Sequence, residues 1–232
     1  MATEGALQKE VNGTSEKKAR ILLLSSAKGG SGKTTTARNL AICALQDGFS
    51  VATVDLDAQG SLTLWYQRRP EEAPPFGHFQ VPLSEAVAAL ESIAGQGDLD
   101  LVFVDTPPGV EANPVAIKEL VRRADFVLVP TGQGGPDIET VIDWAKFVRR
   151  EGRRSAFLLN RTARGKNSFG EAKLELSRHG SLCPFDVRDL EDIQRTHRSG
   201  LGVVEVRGAL GATDLQGVWN YIRNEIGLGA AE

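Results

Sequence analysis

The 232-residue sequence is poor in cysteine, histidine and aromatic residues, and it has no long apolar run. The two cysteines, Cys43 and Cys183, lie far apart and outside any CxxC pair, and the sequence has only three histidines, so neither a disulfide framework nor a zinc finger is expected. No apolar stretch approaches the roughly 18 residues of a transmembrane helix, and the N-terminal segment lacks the apolar core of a signal peptide. A reducing, cytoplasmic location is therefore expected.

Neither sign of charge dominates the composition. Lys and Arg number 27, Asp and Glu number 30, and the formal net charge is -3. With 41% apolar and 25% charged residues, this is the composition of an ordinary globular protein, and it excludes collagen-like, coiled-coil and wholly disordered chains. The small negative charge also argues against a surface covered in basic residues for nucleic acid.

Apolar runs typical of buried strands alternate with helical patterns along most of the chain. Strands are predicted at Ile21–Leu24, Ser50–Asp55, Leu101–Asp105, Phe126–Pro130, Ala156–Asn160 and Leu182–Phe185. Helices are predicted directly before Asp47 and at Leu83–Ser92, Asn113–Arg122, Pro136–Glu151, Ser168–Arg178 and Asp214–Ile226. This order predicts a single α/β domain (20–232) with a doubly wound, mostly parallel sheet flanked by helices, preceded by a flexible polar tail (1–19). The Pro-rich stretch Arg69–Pro75 is interpreted as a loop inside that domain.

A glycine- and hydroxyl-rich segment joins the first predicted strand to a helical pattern. It reads Lys28-Gly29-Gly30-Ser31-Gly32-Lys33-Thr34-Thr35. Glycines let backbone N–H groups converge on an anion, and the start of a helix adds a favourable field, so this segment predicts a phosphate-binding loop. Lys33 is expected to reach the β- and γ-phosphates, and the Thr34 hydroxyl to ligate magnesium. The general phosphate-loop pattern begins with glycine, where this chain has Ala27.

The segment KGGSGKTT resembles the deviant Walker A motif of the ParA/MinD family of P-loop ATPases, and the similarity extends from Ile21 to about Ile226. In that family the early lysine, here Lys28, reaches across an ATP-sandwich homodimer to the phosphates of the partner subunit. The resemblance implies ATP and Mg²⁺ as cofactors and catalytic roles for Lys28, Lys33 and Asp57. It implies nucleotide contacts for Lys28, Gly29, Gly30, Ser31, Gly32, Lys33, Thr34, Thr35 and Asn160.

The segment DLDAQGSLTLW, residues 55–65, is similar to the D-x-D-P-Q-G-S segment of the family, with Ala58 in place of the usual proline. The resemblance implies that Asp57 orients the attacking water close to the magnesium ion. Asp55 is expected to have a structural role or to support the groups that hold the metal. The loss of the proline loosens the loop slightly but leaves both carboxylates in place.

Two later strand ends complete the implied site. The strand Leu101–Asp105 resembles a Walker B strand, which gives Asp105 a magnesium role, either directly or through water, beside Thr34 and Asp57. Gly109, in the loop that follows, is expected to sense the γ-phosphate through its backbone N–H. Asn160 matches the position at which the family reads adenine, and an amide can both donate to and accept from that base.

Among members of the family, the small ParA class fits best. The two cysteines do not match an iron–sulfur protein. The C-terminal residues 208–232 carry one basic residue, Arg223, against three acidic residues, so a MinD-like membrane-binding helix is disfavoured. The segment GLGVVE, residues 200–205, matches the family's G-L-S-V-x-E, and no winged-helix module precedes the loop. Upstream, Leu190 and Ile193 replace the usual arginine and aromatic residue.

Charge is unevenly distributed along the chain. Residues 149–207 hold thirteen Lys/Arg and eight Asp/Glu, whereas residues 21–148 hold nine and sixteen. Small ParA proteins bind DNA without sequence preference, and arginine and lysine are the expected phosphate contacts. The candidate contacts are Arg149, Arg150, Arg153, Arg154, Arg161, Arg164, Lys166, Arg195 and Arg198.

The resemblance implies an ATPase that binds nonspecific DNA as an ATP dimer and is released on hydrolysis. That cycle would segregate or position a plasmid, a chromosome region or a protein cargo at the nucleoid in the cytoplasm, with a ParB-like or other adaptor stimulating hydrolysis. Three alternatives stay open. They are a P-loop kinase or nucleotide-dependent regulatory enzyme that does not act on DNA, a scaffold that binds nucleotide without turnover, and a MinD-like membrane-associated ATPase.

Overall fold

The computed structural model describes residues 18–109 and 113–229. Most of the predicted N-terminal tail therefore lies outside the described residues. Ala19, which the sequence interpretation placed in the tail, is buried, and its N–H donates to the carbonyl of Ala94 at 3.1 Å. The folded domain thus begins at least one residue earlier than predicted.

Eight parallel strands form the sheet, in the order β3-β2-β4-β1-β5-β6-β7, with β8 pairing with β6. The strands are β1 (Arg20–Leu24), β2 (Val51–Asp55), β3 (Gly77–Gln80), β4 (Leu101–Asp105), β5 (Phe126–Thr131), β6 (Ser155–Thr162), β7 (Ser181–Leu182) and β8 (Val187–Arg188). Parallel strands require crossover connections, and helices supply most of them here. The predicted doubly wound α/β fold is confirmed.

Helices cover both faces of the sheet. They are α1 (Lys33–Gln46), α2 (Ser61–Tyr66), α3 (Ala86–Ala94), α4 (Pro114–Arg123), α5 (Gly135–Arg150), α6 (Asn167–His179), α7 (Glu191–Ser199) and α8 (Ala212–Glu225). Helices α3 to α6 share one core with one face of the sheet, and α1, α2, α7 and α8 share a second core with the other face. The central strands are buried on both sides, which explains their continuous apolar runs.

The sheet differs from the prediction mainly near its edges. The apolar stretch Leu182–Phe185 was predicted as a strand, but only Ser181–Leu182 pair with β6. Pro184 has no N–H to offer the ladder, and Phe185 packs against Gly217 of α8. The short strands β3 and β8 and the short helices α2 and α7 have patterns too brief to predict from the sequence.

Strand register brings the carboxylate-bearing strand ends next to the glycine-rich loop. Leu24, the last residue of β1, lies opposite Asp105 of β4, and Asp105 lies opposite Asp55 of β2. The loop that follows Leu24 therefore begins one strand away from a carboxylate. In open α/β sheets ligands bind at this carboxyl edge.

Hydrogen bonds and an ion pair connect α2 and the loop after it to the segment after α7, which matches the family's G-L-S-V-x-E. Trp65 donates its indole N–H to the carbonyl of Leu201 at 3.0 Å. Arg69 forms a buried bidentate pair with Glu205, at 2.6 and 3.0 Å, and Glu205 also accepts from the N–H of Gly202 at 2.7 Å. These contacts tie the helix that follows the Asp57 loop to the C-terminal part of the chain.

Replacing Trp219 with alanine is expected to lower the free energy of unfolding by about 3–5 kcal/mol. Trp219 is fully buried, packs edge-to-face on Phe49 with ring centroids 5.8 Å apart, and donates its indole N–H to Asp47 at 2.6 Å. Urea unfolding measures the change. Leu210→Ala is the control, because Leu210 is 63% exposed and its loss is expected to change stability by about 0.5 kcal/mol or less.

Candidate nucleotide site

The glycine-rich segment forms a turn between β1 and α1, as predicted. Gly30 and Gly32 have φ of +73° and +92°, which is left-handed backbone that glycine adopts without steric cost. Lys33 is the first residue of α1, is only 7% exposed, and its Nζ lies 3.4 Å from the carbonyl of Lys28. The loop, the lysine and the helix start thus have the arrangement of a phosphate-binding loop.

Thr34 and Asp105 form the second part of the site. The Thr34 hydroxyl donates to one Asp105 oxygen at 2.6 Å, and the other Asp105 oxygen is buried with no hydrogen-bond partner among the described residues. Burial raises the pKa of Asp105 well above its usual range, with the charges of Asp55 and Asp57 acting in the same direction; the Thr34 hydrogen bond and the Lys33 charge oppose the rise. A buried carboxylate with an unused oxygen suits a divalent cation.

This donor set fits magnesium in particular. Mg²⁺ in nucleotide sites is held by one or two carboxylates, a hydroxyl, waters and the phosphates, rather than by a cage of protein ligands. Within the part of the chain that the structure describes, no cluster of three or more His, Cys, Asp or Glu side chains is arranged to hold a metal. Thr34 and Asp105 therefore supply the kind of partial site that a phosphate-bound Mg²⁺ completes.

Asp55 and Asp57 differ in burial and in their hydrogen bonds. Asp55 is fully buried and accepts from the N–H of Asp57 at 3.0 Å and from the N–H and hydroxyl of Thr63 at 2.9 and 3.0 Å. It shapes the loop, in agreement with the structural role expected for it. Asp57 is partly exposed, and among the described residues its side chain accepts one local hydrogen bond, from the N–H of Gln59 at 3.0 Å.

The structure brings Asn160 against the phosphate loop. Its amide nitrogen donates to the carbonyl of Ser31 at 3.1 Å and lies 3.4 Å from the Thr36 hydroxyl, while its oxygen accepts from the N–H of Arg161 at 2.9 Å. Arg161 has φ of 53°, the one positive φ of a non-glycine residue within the described chain. The residue after Asn160 therefore has an unusual backbone conformation near the end of β6. The contact of Asn160 with adenine stays a prediction.

Lys28, the early lysine, forms an ion pair with Asp137 in the first turn of α5. The two side chains line a cavity of about 250 Å³ that adjoins the phosphate loop. Its other lining residues include Ser26, Gly29, Gly30, Ser31, Thr131, Gly132, Gln133, Asn160 and Arg161. Asp137 was not among the residues predicted from the sequence, because an acidic residue after Pro136 indicates only the start of a helix.

The loop after β4 lies against the phosphate loop. A Cβ atom built on Gly29 would be 3.6 Å from the Cβ of Pro108. Gly109 has φ of +66° and is the last described residue before residues 110–112. Its neighbour Pro108 lies against the phosphate loop, and the role of Gly109 as a γ-phosphate sensor stays a prediction.

The nine basic residues predicted to contact DNA do not form one surface. Four lie at or near the amino edge of the sheet (Arg149, Arg150, Arg153 and Arg154), three lie at the carboxyl end of β6 or in the loop after it (Arg161, Arg164 and Lys166), and two lie on α7 (Arg195 and Arg198). Arg154 and Arg161 are close in sequence but lie at opposite edges of the sheet, because β6 runs from the amino edge to the carboxyl edge. A charge count along the chain therefore cannot identify a contact surface.

Replacing Gly32 with alanine is expected to weaken nucleotide binding at least tenfold. The residue must keep φ at +92°, and the added Cβ would overlap the amide nitrogen of Asn160, so the loop must shift. Titration with a fluorescent ATP analogue measures the affinity. Gly165→Ala is the matched control, since its Cβ meets nothing within 4 Å; equal affinities for the two variants would contradict the prediction.

Comparison with known proteins agrees with this geometry. Residues 22–220 match the CobQ/CobB/MinD/ParA nucleotide binding domain. The chain therefore belongs to this family of nucleotide-binding P-loop proteins.

One relative and two solved structures are similar to most of this chain. A maintenance of carboxysome distribution protein A from Gloeobacter kilaueensis is 32% identical over 200 residues, which cover 84% of this chain and 89% of that protein. The fold is shared with a chain of the MinC:MinD cell division complex of Aquifex aeolicus (TM-score 0.74, 15% identity, 89% and 96% covered). It is also shared with an ATP complex of Cyanothece McdA (TM-score 0.71, 19% identity, 93% and 99% covered).

Within residues 18–109 and 113–229, no helix combines the length and the apolar character needed to cross a membrane.

Proposed function

We propose that this chain is a magnesium-dependent ATPase that dimerises around ATP, binds nonspecific DNA in the ATP state and is released when ATP is hydrolysed. The observation that carries the proposal is the pairing of a complete phosphate loop with an extra lysine, Lys28, at its entrance. A lysine at that position can serve a partner subunit because Lys33 already serves its own. The ATP sandwich then depends on the γ-phosphate.

We propose the following roles for the residues of the site. The backbone from Gly29 to Gly32 cradles the phosphates, with Thr35 beside them, and Lys33 neutralises their charge. Thr34 and Asp105 would hold Mg²⁺, which would supply positive charge to the phosphates. Asp57 orients the attacking water and also faces the metal.

Recognition and switching are assigned to two further residues. Asn160 contacts the adenine, and its present hydrogen bonds to the loop couple base recognition to the loop's shape. Gly109 offers its backbone N–H to the γ-phosphate. Loss of that phosphate would release the loop after β4, which is how order in a switch segment follows hydrolysis in nucleotide-dependent proteins.

The cargo that we propose is a protein assembly. A plasmid and a chromosome region are the alternative cargoes. The relative from Gloeobacter kilaueensis, named for the maintenance of carboxysome distribution, supports a positioning function. A ParB-like or other adaptor protein would accelerate hydrolysis and thereby move the cargo along DNA. The protein would then act in the cytoplasm at the nucleoid, without a membrane partner.

DNA binding measured with ATP, with ADP and without nucleotide, across a salt series, tests the proposal. DNA binding is expected only in the presence of ATP and magnesium. It should weaken as the salt concentration rises, because phosphate contacts release counterions. ATP hydrolysis without ATP-dependent DNA binding would contradict the segregation function. The result would then favour the nucleotide-dependent enzyme that does not act on DNA.

A further inference from the structure

A series of hydrogen-bonded side chains runs from the edge of the sheet to the loop that carries Asp57. Strand β3 is the edge strand and pairs with β2, and His78 lies directly opposite Thr53 in that pairing. His78 Nδ1 lies 2.8 Å from the Thr53 hydroxyl, and His78 Nε2 lies 3.0 Å from the hydroxyl of Thr63 in α2. Thr63 in turn donates its hydroxyl to Asp55 at 3.0 Å. The histidine therefore connects two neighbouring strands with the helix that follows the Asp57 loop.

The direction of each hydrogen bond follows from the carboxylate at the end of this series. A carboxylate only accepts, so the Thr63 hydroxyl proton is directed to Asp55, and the Thr63 oxygen accepts from the N–H at His78 Nε2. Nδ1 then carries no proton and accepts from the Thr53 hydroxyl. Burial lowers the pKa of His78, with the charge of Asp55 opposing the shift, so the ring is neutral at neutral pH. One tautomer of the neutral ring thus satisfies both hydroxyl groups.

Packing holds the His78 ring in this orientation. The ring stacks on Tyr66, with centroids 4.6 Å apart and an interplanar angle of 22°. Tyr66 is itself anchored, because its hydroxyl donates to the carbonyl of Phe76 at 2.8 Å and its ring packs edge-to-face on Phe76 at 5.1 Å. Thr53 is fully buried, and among the described residues His78 is the hydrogen-bond partner of its hydroxyl. The ring therefore has contacts on β2, on α2 and on its own strand.

Asp55 connects this series to the backbone of Asp57. One Asp55 oxygen accepts from the N–H of Asp57 at 3.0 Å, and the other accepts from the N–H and the hydroxyl of Thr63. The main chain of Asp55 also contacts the end of β3, because the N–H of Val81 donates to its carbonyl at 3.0 Å. The two oxygens of one buried carboxylate thus link the Asp57 backbone to the hydroxyl that His78 contacts.

We infer that His78 is a positioning residue for ATP hydrolysis, which acts through Thr63 and Asp55 on the backbone that presents Asp57. A displacement of about 1 Å in a catalytic group can reduce a rate by about 100-fold. Hydrogen bonds in series also polarise one another, so the Thr63 hydroxyl binds Asp55 more strongly while it accepts from His78. This inference rests on the proposed function, because His78 acts only through the role of Asp57 in hydrolysis.

The expected kinetics differ from those of a histidine that only supports the fold. ATP is held by the phosphate loop and Lys33, whereas Asp57 is assigned to the attacking water. Loss of positioning should therefore lower kcat and leave the KM for ATP unchanged, which is the pattern of an interaction made in the transition state. A general loss of structure would instead lower the stability of the protein and its affinity for ATP together.

The test measures phosphate release by full-length variants with magnesium over a range of ATP concentrations. His78→Phe keeps a ring to stack on Tyr66 but removes both nitrogens, and its kcat is expected to fall at least about fivefold, with the KM within about twofold of wild type. His78→Gln keeps an uncharged donor and acceptor and should restore kcat to within about twofold. The control is His179→Phe, which removes a histidine that pairs with Glu175 on α6, and its kcat should equal that of the wild type.

A double-mutant cycle tests the route through Thr63. Thr63→Val removes the hydroxyl between His78 and Asp55, so adding His78→Phe to Thr63→Val should lower kcat little further. Thr63→Ser keeps the hydroxyl and should retain the wild-type kcat. If His78→Phe is unfolded by circular dichroism, His78→Asn decides in its place. Its amide keeps a partner for Thr53 but is too short to reach Thr63, so the same fall in kcat is expected.

The outcomes separate the inference from the proposed function. If the wild-type protein hydrolyses ATP and the variants of His78 have its kcat, the inference is wrong and the proposed function stands. The inference is also wrong if the loss lies entirely in KM, or if His78→Phe lowers kcat as much in the Thr63→Val background as in the wild type. If the wild-type protein shows no ATP hydrolysis, the proposed function fails and the role of His78 fails with it.

Discussion

Replacing Asp57 with alanine is expected to reduce ATP hydrolysis by about 100-fold or more while leaving ATP-dependent dimers intact, because Asp57 is the residue proposed to position the attacking water. The loop should survive the change, since Asp55 rather than Asp57 carries its hydrogen bonds to Thr63 and to the backbone at position 57. Phosphate release measures hydrolysis, and light scattering during size-exclusion chromatography measures the dimer. The dimer of the variant should outlast that of the wild type after ATP is added.

Two variants serve as controls for this result. Asp98→Ala removes an exposed carboxylate remote from the site, and it should hydrolyse ATP at the wild-type rate. Asp55→Asn should instead disturb the loop, because a neutral amide cannot accept from all three donors that now bind the carboxylate. Wild-type hydrolysis by Asp57→Ala would exclude Asp57 from the reaction.

Replacing Lys28 with alanine is expected to abolish ATP-dependent dimerisation, and replacing Asp137 with asparagine is expected to strengthen it. In the single subunit Lys28 is paired with Asp137, so reaching a partner's phosphates requires that pair to open. Asparagine at position 137 removes the competing charge. A cation supplied to a transferring phosphoryl group can be worth about 10³–10⁵ in rate, so hydrolysis should also fall sharply in Lys28→Ala.

The control for Asp137→Asn is Asp143→Asn on the same helix. Asp143 is exposed and pairs with Lys146, so the substitution makes the same change in net charge without touching Lys28. Sedimentation velocity with ATP, with ADP and without nucleotide gives the dimer fraction for each variant. An ATP dimer in Lys28→Ala, or a weaker dimer in Asp137→Asn than in Asp143→Asn, would contradict the expected role of this ion pair.

The nucleotide site could be predicted largely from sequence because its central part is local. A strand, a glycine-rich turn and a helix start are contiguous from Ile21 into α1, so the residues that carry the chemistry also determine the backbone that presents them. Asp105 could be added because carboxyl ends of parallel strands meet at one edge. Asp137 could not, because nothing near it in sequence indicates that α5 begins beside Lys28.

The basic residues show the opposite case. Their excess in residues 149–207 is plain in the sequence, but which of them carry available charge depends on partners that lie far along the chain. Arg164 pairs with Asp214, whereas Arg149 donates to the carbonyl of His179 and forms no ion pair among the described residues. Spacing along a chain does not reveal such pairings, since they depend on how α6 and α8 pack beside β6.

The sequence by itself determined the class of this protein: an α/β nucleotide-binding domain whose loop KGGSGKTT carries two lysines. Local physics suffices for that, because glycine backbone freedom, apolar strand runs and a helix start act over a few residues. Only the tertiary structure decided that Lys28 is paired with Asp137, that Asp105 keeps a buried oxygen unused beside Thr34, and that Arg149 donates to the carbonyl of His179 at the amino edge of the sheet. Each depends on residues 30 to 109 positions apart, which only the strand order brings together.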